Sequence, residues 1–306
     1  MKRRGFLQAA GAAAVAMPAP GLASPSPASA GAAPLVIHDA LGRAVSIPAP
    51  PQRIVPIFAS NTEIVASLGL ADRIVGIEAY TRFPPEVLDR PLVGGRLGFS
   101  VDAVVALRPD LLVVTPSRQA ANQLIDPMER LGIPVVVFLQ RSVAEILSNI
   151  RLMATIAGIP ERGAEVTGRL QARLDRIRQR LEGRSLPTAT MITGRLGNGL
   201  MLVERPQSYT ANAMELAGTR RAFANAGIIA QVSPEAILNI DPDVLLFAGS
   251  ERDFKELIAR PGFADMRAVR EKRTHVVSRA QFLIPGPRTF DGIEALARML
   301  HPAAFG

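Results

Sequence analysis

SVDAVVALRPDLLVVTPS, residues Ser100–Ser117, and SPEAILNIDPDVLLFAGS, residues Ser233–Ser250, align without a gap. Each opens on serine, places an acid two positions later, reaches Pro-Asp, and runs into a short apolar stretch ending near a second serine. Serine is a preferred helix N-cap because its side-chain oxygen accepts an otherwise orphaned backbone N–H. Val101 or Pro234 then takes the first helical position, where proline is favoured because its missing N–H would have no partner anyway. Asp102 or Glu235 falls in the first turn, where the helix dipole stabilises an anion by about 0.3–1 kcal/mol. Two turns on, Arg108-Pro109-Asp110 or Asp241-Pro242-Asp243 stops the helix, and Leu111–Val114 or Val244–Phe247 reads as a buried strand. The phrase is a helix-turn-strand unit. Its recurrence predicts two similar α/β lobes.

The neighbouring sequence extends this pattern in both directions. Ile54–Ile57, Ile74–Ile77 and Val135–Phe138 read as short strands on the first side, and Thr188–Thr193 and His275–Ser278 on the second. Asn61–Leu68 reads as a helix with Ser60 and Glu63 as a capping box and Gly69 as its stop. Gln119–Leu131, closed by Gly132, reads as another. Ser208–Ala217, ending at Gly218, and Arg288–Leu300 read as helices of the second half. Strands alternating with helices imply parallel sheets.

Between the halves, Ser142 and Glu145 form a second capping box ahead of a stripe at Ile146, Ile150, Met153 and Ala157. After Gly158 a new helix starts at Pro160, with a stripe at Val166, Leu170, Leu174, Ile177 and Leu181, and ends at Gly183. It would be roughly 35 Å long at 1.5 Å per residue. Arg169, Arg173, Asp175, Arg178 and Glu182 occupy its polar face, so it reads as a connecting strut. The expected fold class is α/β: two Rossmann-like lobes with parallel-type sheets joined by one long backbone helix. The N-terminal lobe is expected over 31–158, the helix over 159–183 and the C-terminal lobe over 184–306.

Residues 1–30 differ from the rest. Lys2, Arg3 and Arg4 are their only charges, an apolar stretch covers Ala9–Met17, and Ala28-Ser29-Ala30 suits a cleavage site. This is the pattern of an export signal, and Arg3-Arg4-Gly5-Phe6-Leu7 resembles its twin-arginine type. The chain has no cysteine, which excludes disulfides and thiolate chemistry, and with them a lipid on an N-terminal Cys. The expectation is a periplasmic protein, its signal cleaved, with no lipid anchor and not inserted in the membrane. Net charge is +8. No basic run with interleaved aromatics accompanies it, which argues against nucleic-acid binding. Lys2, Lys255 and Lys272 are the only lysines, so the positive charge is carried by guanidinium. Either genome composition or planar recognition of anions accounts for that bias.

Several segments together resemble the helical-backbone class of periplasmic binding proteins, which serve ABC importers of ferric siderophores, haem and cobalamin. These segments are Gln52-Arg53-Ile54-Val55, Ser60-Asn61-Thr62-Glu63, Val75-Gly76-Ile77, Val93-Gly94, Ala106-Leu107-Arg108-Pro109-Asp110, the Ser233 repeat, and Gly286-Pro287-Arg288 through His301-Pro302. The resemblance spans about residues 35–303. It implies a shallow cleft between two lobes, little hinge motion, and one acid per lobe docking on a dimeric ABC permease with its ATPase. By position those acids are Asp102 and Glu235, with Asp102 shorter than the usual Glu. The protein itself is expected to be a monomer.

Ligands of parallel sheets lie beyond the carboxyl ends of strands. The residues there are Tyr80, Arg82, Arg96, Ser117, Arg118, Gln140, Arg141, Arg195 and Arg279. All of these except Gln140 are taken as candidate ligand contacts. A guanidinium past nearly every strand suits an anionic ligand, although arginine is abundant enough for loops to collect some by chance. The resemblance implies a ligand-contact loop at Val93–Asp102. Gly95 stands where haem binders have tyrosine, and Arg96 where several ferric-siderophore binders have arginine. The expected cargo is an anionic ferric siderophore, with a corrinoid as the alternative; haem or an exported α/β enzyme is disfavoured. The absence of tryptophan and the presence of two tyrosines lower the case for a corrinoid, whose broad face aromatics cover. His38, His275 and His301 are too dispersed for a metal site, and no cofactor is expected. There is no G-x-S-x-G elbow or phosphate loop for an enzyme, and no raised pKa is expected of Glu63, Asp102 or Glu235 at their helix starts.

Overall fold

A β-hairpin, β1 (Leu35–His38) and β2 (Ala44–Ile47), packs beside the first lobe. Asp39 at its turn accepts N–H groups of Leu41 and Arg43, and reaches Val137 N–H at 3.3 Å. The sheet behind it consists of β3 (Ile54–Pro56), β7 (Leu111–Val114) and β8 (Val135–Val137), parallel throughout in the order β3-β7-β8. A smaller sheet lies alongside, β4 (Ile77–Glu78), β5 (Leu92–Gly95) and β6 (Gly98–Phe99). The computed structural model describes residues 33–95, 98–115, 121–223 and 231–306. The export segment 1–30 and the candidates Arg96, Ser117 and Arg118 lie outside the described residues.

The second lobe is a six-stranded sheet. It contains β9 (Thr188–Arg195), β10 (Met201–Val203), β11 (Arg220–Arg221), β12 (Gln231–Val232), β13 (Val244–Ala248) and β14 (Thr274–Val277). Its centre, β9-β13-β14, is parallel, while β10 and β12 add an antiparallel edge. The two lobes flank the helix Pro160–Leu181, 22 residues closed by Gly183 at φ 71°.

Side chains alternate across both parallel sheets. Ile54, Leu111, Val113 and Val136 face one core together with Ala189, Met191, Val244 and Leu246 of the other lobe. That core is continuous through the helices Val143–Ile156 and Arg288–Leu300 and through Val166, Leu174 and Ile177 of the backbone helix. The opposite face of each sheet has its own cluster, around Leu112 in one lobe and Leu245 in the other. Residues 34–306 accordingly form one compact unit.

The repeated phrase is built alike in both lobes. Ser100 Oγ accepts Ala103 N–H at 3.1 Å, and Ser233 Oγ accepts Ala236 N–H at 3.3 Å. The helices Val101–Ala106 and Pro234–Ile240 then end at Arg108 (φ 46°) and Asp241 (φ 39°), each in left-handed backbone just ahead of its proline. The aspartate that follows ties in the neighbouring strand. Asp110 accepts the N–H groups of Gln52 and Arg53, both at 2.8 Å, at the entrance of β3. Asp243 accepts Thr188 N–H and Oγ1–H, both at 2.8 Å, where β9 begins. A parallel strand pair leaves these first amides unpaired, and a carboxylate one residue before the adjacent strand is placed to take them.

Four expectations differ. The helix expected over Asn61–Leu68 runs Ala59–Ser67, so Ser60 and Glu63 lie inside it and form no capping box. Its N-terminus, at Phe58 (φ 77°), has no side-chain cap. Ser142 Oγ does cap Glu145 N–H at 3.1 Å, but the Glu145 carboxylate accepts Arg141 N–H rather than that of Ser142. The helix expected over Gln119–Leu131 is a π turn, Ala121–Ile125, followed by Asp126–Arg130, because Pro127 cannot donate and restarts the helix. Ile74–Ile77 is reduced to an Ile54–Ile74 bridge and the short β4, since the chain leaves β3 to pair with β5.

β10 leaves the edge of β9 above the point where β11 joins it. The buried Glu204 side chain fills the gap, accepting Met191 N–H at 2.8 Å and Thr190 Oγ1–H at 3.0 Å. Its Oε1 has no partner among the described residues, and burial pushes its pKa up to about 7 from 4.5. Below pH 4.5 the folded and unfolded states are both protonated there. Between 4.5 and 7 only the unfolded state gives up its proton, so stability falls as pH rises and the loss is complete above 7. Glu204→Gln is expected to gain stability relative to the parent by on the order of 3 kcal/mol between pH 4 and pH 8, measured by urea unfolding of both proteins.

Candidate functional site

The carboxyl ends of β9 and β13 open onto a cavity of about 700 Å³ lined by Gly194–Gly197, Phe247–Ser250, Asp253 and Arg279. Arg279 is held there, its Nη1 donating to the carbonyls of Thr193 at 2.8 Å and Ala248 at 3.0 Å. Arg195, from the end of β9, is exposed and has no hydrogen-bond or ion-pair partner among the described residues. Ser250 caps the helix Glu251–Ile258 at the rim by accepting Asp253 N–H at 3.1 Å. One guanidinium is therefore fixed and the other free, and both face the same space.

The first lobe presents its strand ends differently. Tyr80 is 55 % exposed, and Glu78 holds its backbone by accepting Tyr80 N–H at 2.7 Å. Burial raises the pKa of Glu78. Arg82 curls onto the carbonyls of Ala79 and Thr81 at 2.6 and 2.8 Å. Phe58 and Phe99 meet edge to face with ring centres 5.9 Å apart. Beneath these groups, Asn61, Thr115 and Gln140 are hydrogen-bonded to one another where β3, β7 and β8 end.

A second cavity, of about 360 Å³, spans the two lobes and is lined by Arg141 and Ser142 from one and by Gln207, Asn212, Glu215 and Arg221 among others. Arg141 lies 3.6 Å from Glu145, and Arg221 pairs with Glu215 at 2.8 Å. Asn212 Oδ1 accepts Val143 N–H at 3.0 Å, so the second lobe caps the first helical residue of Val143–Ile156. Arg195 and Arg279 thus share one cavity, while Arg141 lines another.

Sequence reasoning missed Gln207, Asn212, Arg221 and the Asn61–Thr115 contact. The only available signal was position, since Thr115 and Gln140 lie directly past strands. Among the described residues no group of three or more His, Cys, Asp or Glu could hold a metal. His301 instead meets the Gly218 carbonyl at 2.9 Å.

The helix starts carrying the expected docking acids are exposed. Asp102 and Glu235 both face solvent, and the Glu235 carboxyl is held below its ordinary pKa by its own backbone N–H and by Ser233. Glu63 departs from expectation. It is buried, burial raises its pKa, and Arg288 opposes that rise. Arg288 Nε and Nη2 donate to the two Glu63 oxygens at 3.1 and 2.5 Å, and its guanidinium lies 4.4 Å from the Phe83 ring centre. This pair joins the helix Ala59–Ser67 of one lobe to the helix Arg288–Leu300 of the other.

Residues 54–277 match the family described as periplasmic binding protein. The ABC transporter substrate-binding lipoprotein YvrC of Bacillus subtilis is 26% identical over 281 residues, covering 89% of this chain and 87% of that protein. The periplasmic vitamin B12 binding protein BtuF of Vibrio cholerae superposes with TM-score 0.72 at 22% identity, covering 83% and 98% of the two chains. The periplasmic heme-binding protein RhuT of Roseiflexus sp. RS-1 gives 0.70 at 26%, covering 83% and 99%. These likenesses support the two-lobed α/β architecture.

One expectation is overturned. The Bacillus relative is named a lipoprotein, which points to lipid-anchored placement and away from a protein without a lipid anchor. Among the described residues no helix is long and apolar enough to cross a membrane.

Arg288→Ala leaves the Glu63 carboxylate buried without its counter-charge. It is expected to cost about 3 kcal/mol or more at pH 7 in guanidinium unfolding. Glu63→Gln in the same background is expected to recover part of that loss.

Proposed function

The chain belongs to the periplasmic binding protein family of ABC importers, and we propose that it captures an anionic ferric chelate of siderophore type between its lobes and delivers it to a dimeric permease with its ATPase. The observation that carries this reading is the pairing of Arg195 and Arg279 over one cavity at the carboxyl ends of β9 and β13. Arg279 is pre-oriented by two carbonyls, so little side-chain freedom is lost when its remaining N–H groups meet ligand oxygens. Arg195 has no such tether and adds charge without fixed direction. Asp253 at the rim opposes strong binding of a bare anion, which favours a large chelate over a small one.

A corrinoid is the second reading. The fold shared with a vitamin B12 binding protein supports it, and so does Tyr80, whose exposed ring offers a flat apolar face. Tyr80, Arg82, Arg141 and Arg279 are assigned to ligand binding in this proposal, along with Arg96, Ser117 and Arg118 by sequence position.

Purified protein is titrated with a ferric catecholate, cyanocobalamin and haemin, followed by absorbance and native mass spectrometry. Sub-micromolar binding of the ferric chelate is expected, weakened about tenfold or more by Arg195→Ala, as suits a lost charge-assisted contact. Tight cyanocobalamin binding with no response to the ferric chelate replaces the siderophore reading with the corrinoid one.

Asp102 and Glu235 are proposed to dock on the permease, one per lobe. Their exposure and helix-start placement, one in each lobe, support this role. Asp102→Arg with Glu235→Arg is expected to leave ligand affinity unchanged and to abolish uptake in cells. Normal uptake by the double variant removes the docking role.

A further inference from the structure

Asn61, Thr115 and Gln140 close a ring of hydrogen bonds. Asn61 Nδ2 donates to Thr115 Oγ1 at 3.2 Å, Thr115 Oγ1 donates to Gln140 Oε1 at 3.2 Å, and Gln140 Nε2 donates to Asn61 Oδ1 at 2.9 Å. Each side chain gives one bond and takes one. The Asn61 amide also donates to the Ile57 carbonyl at 2.7 Å, across Phe58 with its φ of 77°. Positive φ is an uncommon conformation for a bulky residue and needs support from its surroundings.

The ring joins three strand ends. Ile57 and Asn61 follow β3, Thr115 is the first residue past β7, and Gln140 lies just past β8. Asn61 and Gln140 are buried, whereas Thr115 is half-buried. Three apolar side chains would hold these strand ends together without the cost of burying amides. Directed bonds add what apolar packing lacks, a single fixed arrangement that resists sliding. The bonds also occur where the sheet meets the loops proposed to touch ligand, since Gln140 immediately precedes Arg141 and Thr115 leads into the segment carrying Ser117 and Arg118.

We propose that Asn61, Thr115 and Gln140 are positioning residues for ligand capture, fixing the spacing of the three first-lobe strand ends so that Phe58 and Arg141 beside them are held in place for the ligand. The inference rests on the binding function proposed above and adds the residues that tune its affinity. Preorganisation of this kind acts by lowering the ordering cost of binding and shows chiefly in the dissociation rate.

Thr115→Val removes the hydroxyl at nearly constant volume, and Thr115→Ser keeps it. Wild type and both variants are titrated with a ferric catecholate, cyanocobalamin and haemin well below their unfolding temperatures. For the probe that wild type binds, Thr115→Val is expected to bind about tenfold more weakly through faster dissociation, and Thr115→Ser to stay near wild type. A purely structural ring would lower the melting temperature of Thr115→Val and leave its affinity unchanged, and that result overturns the proposal. Amide hydrogen exchange without ligand gives an independent readout. Residues 57–61 and 139–142 are expected to exchange about tenfold faster in Thr115→Val, while β13 keeps its rate. Unchanged exchange at those amides also overturns the proposal. Should wild type bind none of the probes, the binding reading fails and the exchange measurement still decides whether the ring positions these strand ends.

Discussion

A carboxylate with almost no access to water lies between the two halves of this protein. Glu63 is buried to 1 % side-chain exposure, and the two nitrogens that answer it belong to Arg288 of the opposite lobe. Charge burial of this kind is costly, and it is tolerated where a bidentate partner satisfies both oxygens. The requirement extends to the backbone. A Cβ on Gly286 would approach a Glu63 oxygen to 2.8 Å, so the turn before the last helix must pass without a side chain. Phe83 covers the guanidinium from the other side. With the pair in place, the helices Ala59–Ser67 and Arg288–Leu300 are held in register, and the apolar core can run unbroken from one sheet to the other.

Much of the fold was legible because its determinants are local. The repeated serine-acid-Pro-Asp phrase announced two helix-turn-strand units. The stripe from Val166 to Leu181 announced the connecting helix, and Gly183 marked its end. The helix Arg288–Leu300 came out at its expected bounds. Some failures have a local cause, such as Pro127 inside an expected helix, and others involve a group supplied from far along the chain. Ser60 and Glu63 have the spacing of a capping box, but Glu63 pairs with Arg288 of the opposite lobe. Val143 is capped by Asn212, across the lobe boundary. Spacing rules cannot report such partners.

The candidate site was legible by position only. Looking past the ends of parallel strands found Arg195 and Arg279, which do share a cavity. The same rule gathered Arg82 and Arg141, whose nearest partners are carbonyls of their own turn and Glu145. Neutral polar residues carry less signal in a sequence than arginines do. For that reason Thr115 and Asn61 went unremarked, although the strand ends of the first lobe converge on them.

Arginine is used throughout this molecule as a fastener for carbonyl oxygen. Arg53 reaches the carbonyls of Leu107 and Arg108, Arg73 that of Pro51, Arg90 that of Ile74, Arg220 that of Leu186 and Arg279 those of Thr193 and Ala248. The carboxyl groups whose proton affinity burial has raised, Glu63, Glu78 and Glu204, take part in none of these bonds. A lysine-built version of the same scaffold would set a point charge in place of a planar fork at each of these carbonyls.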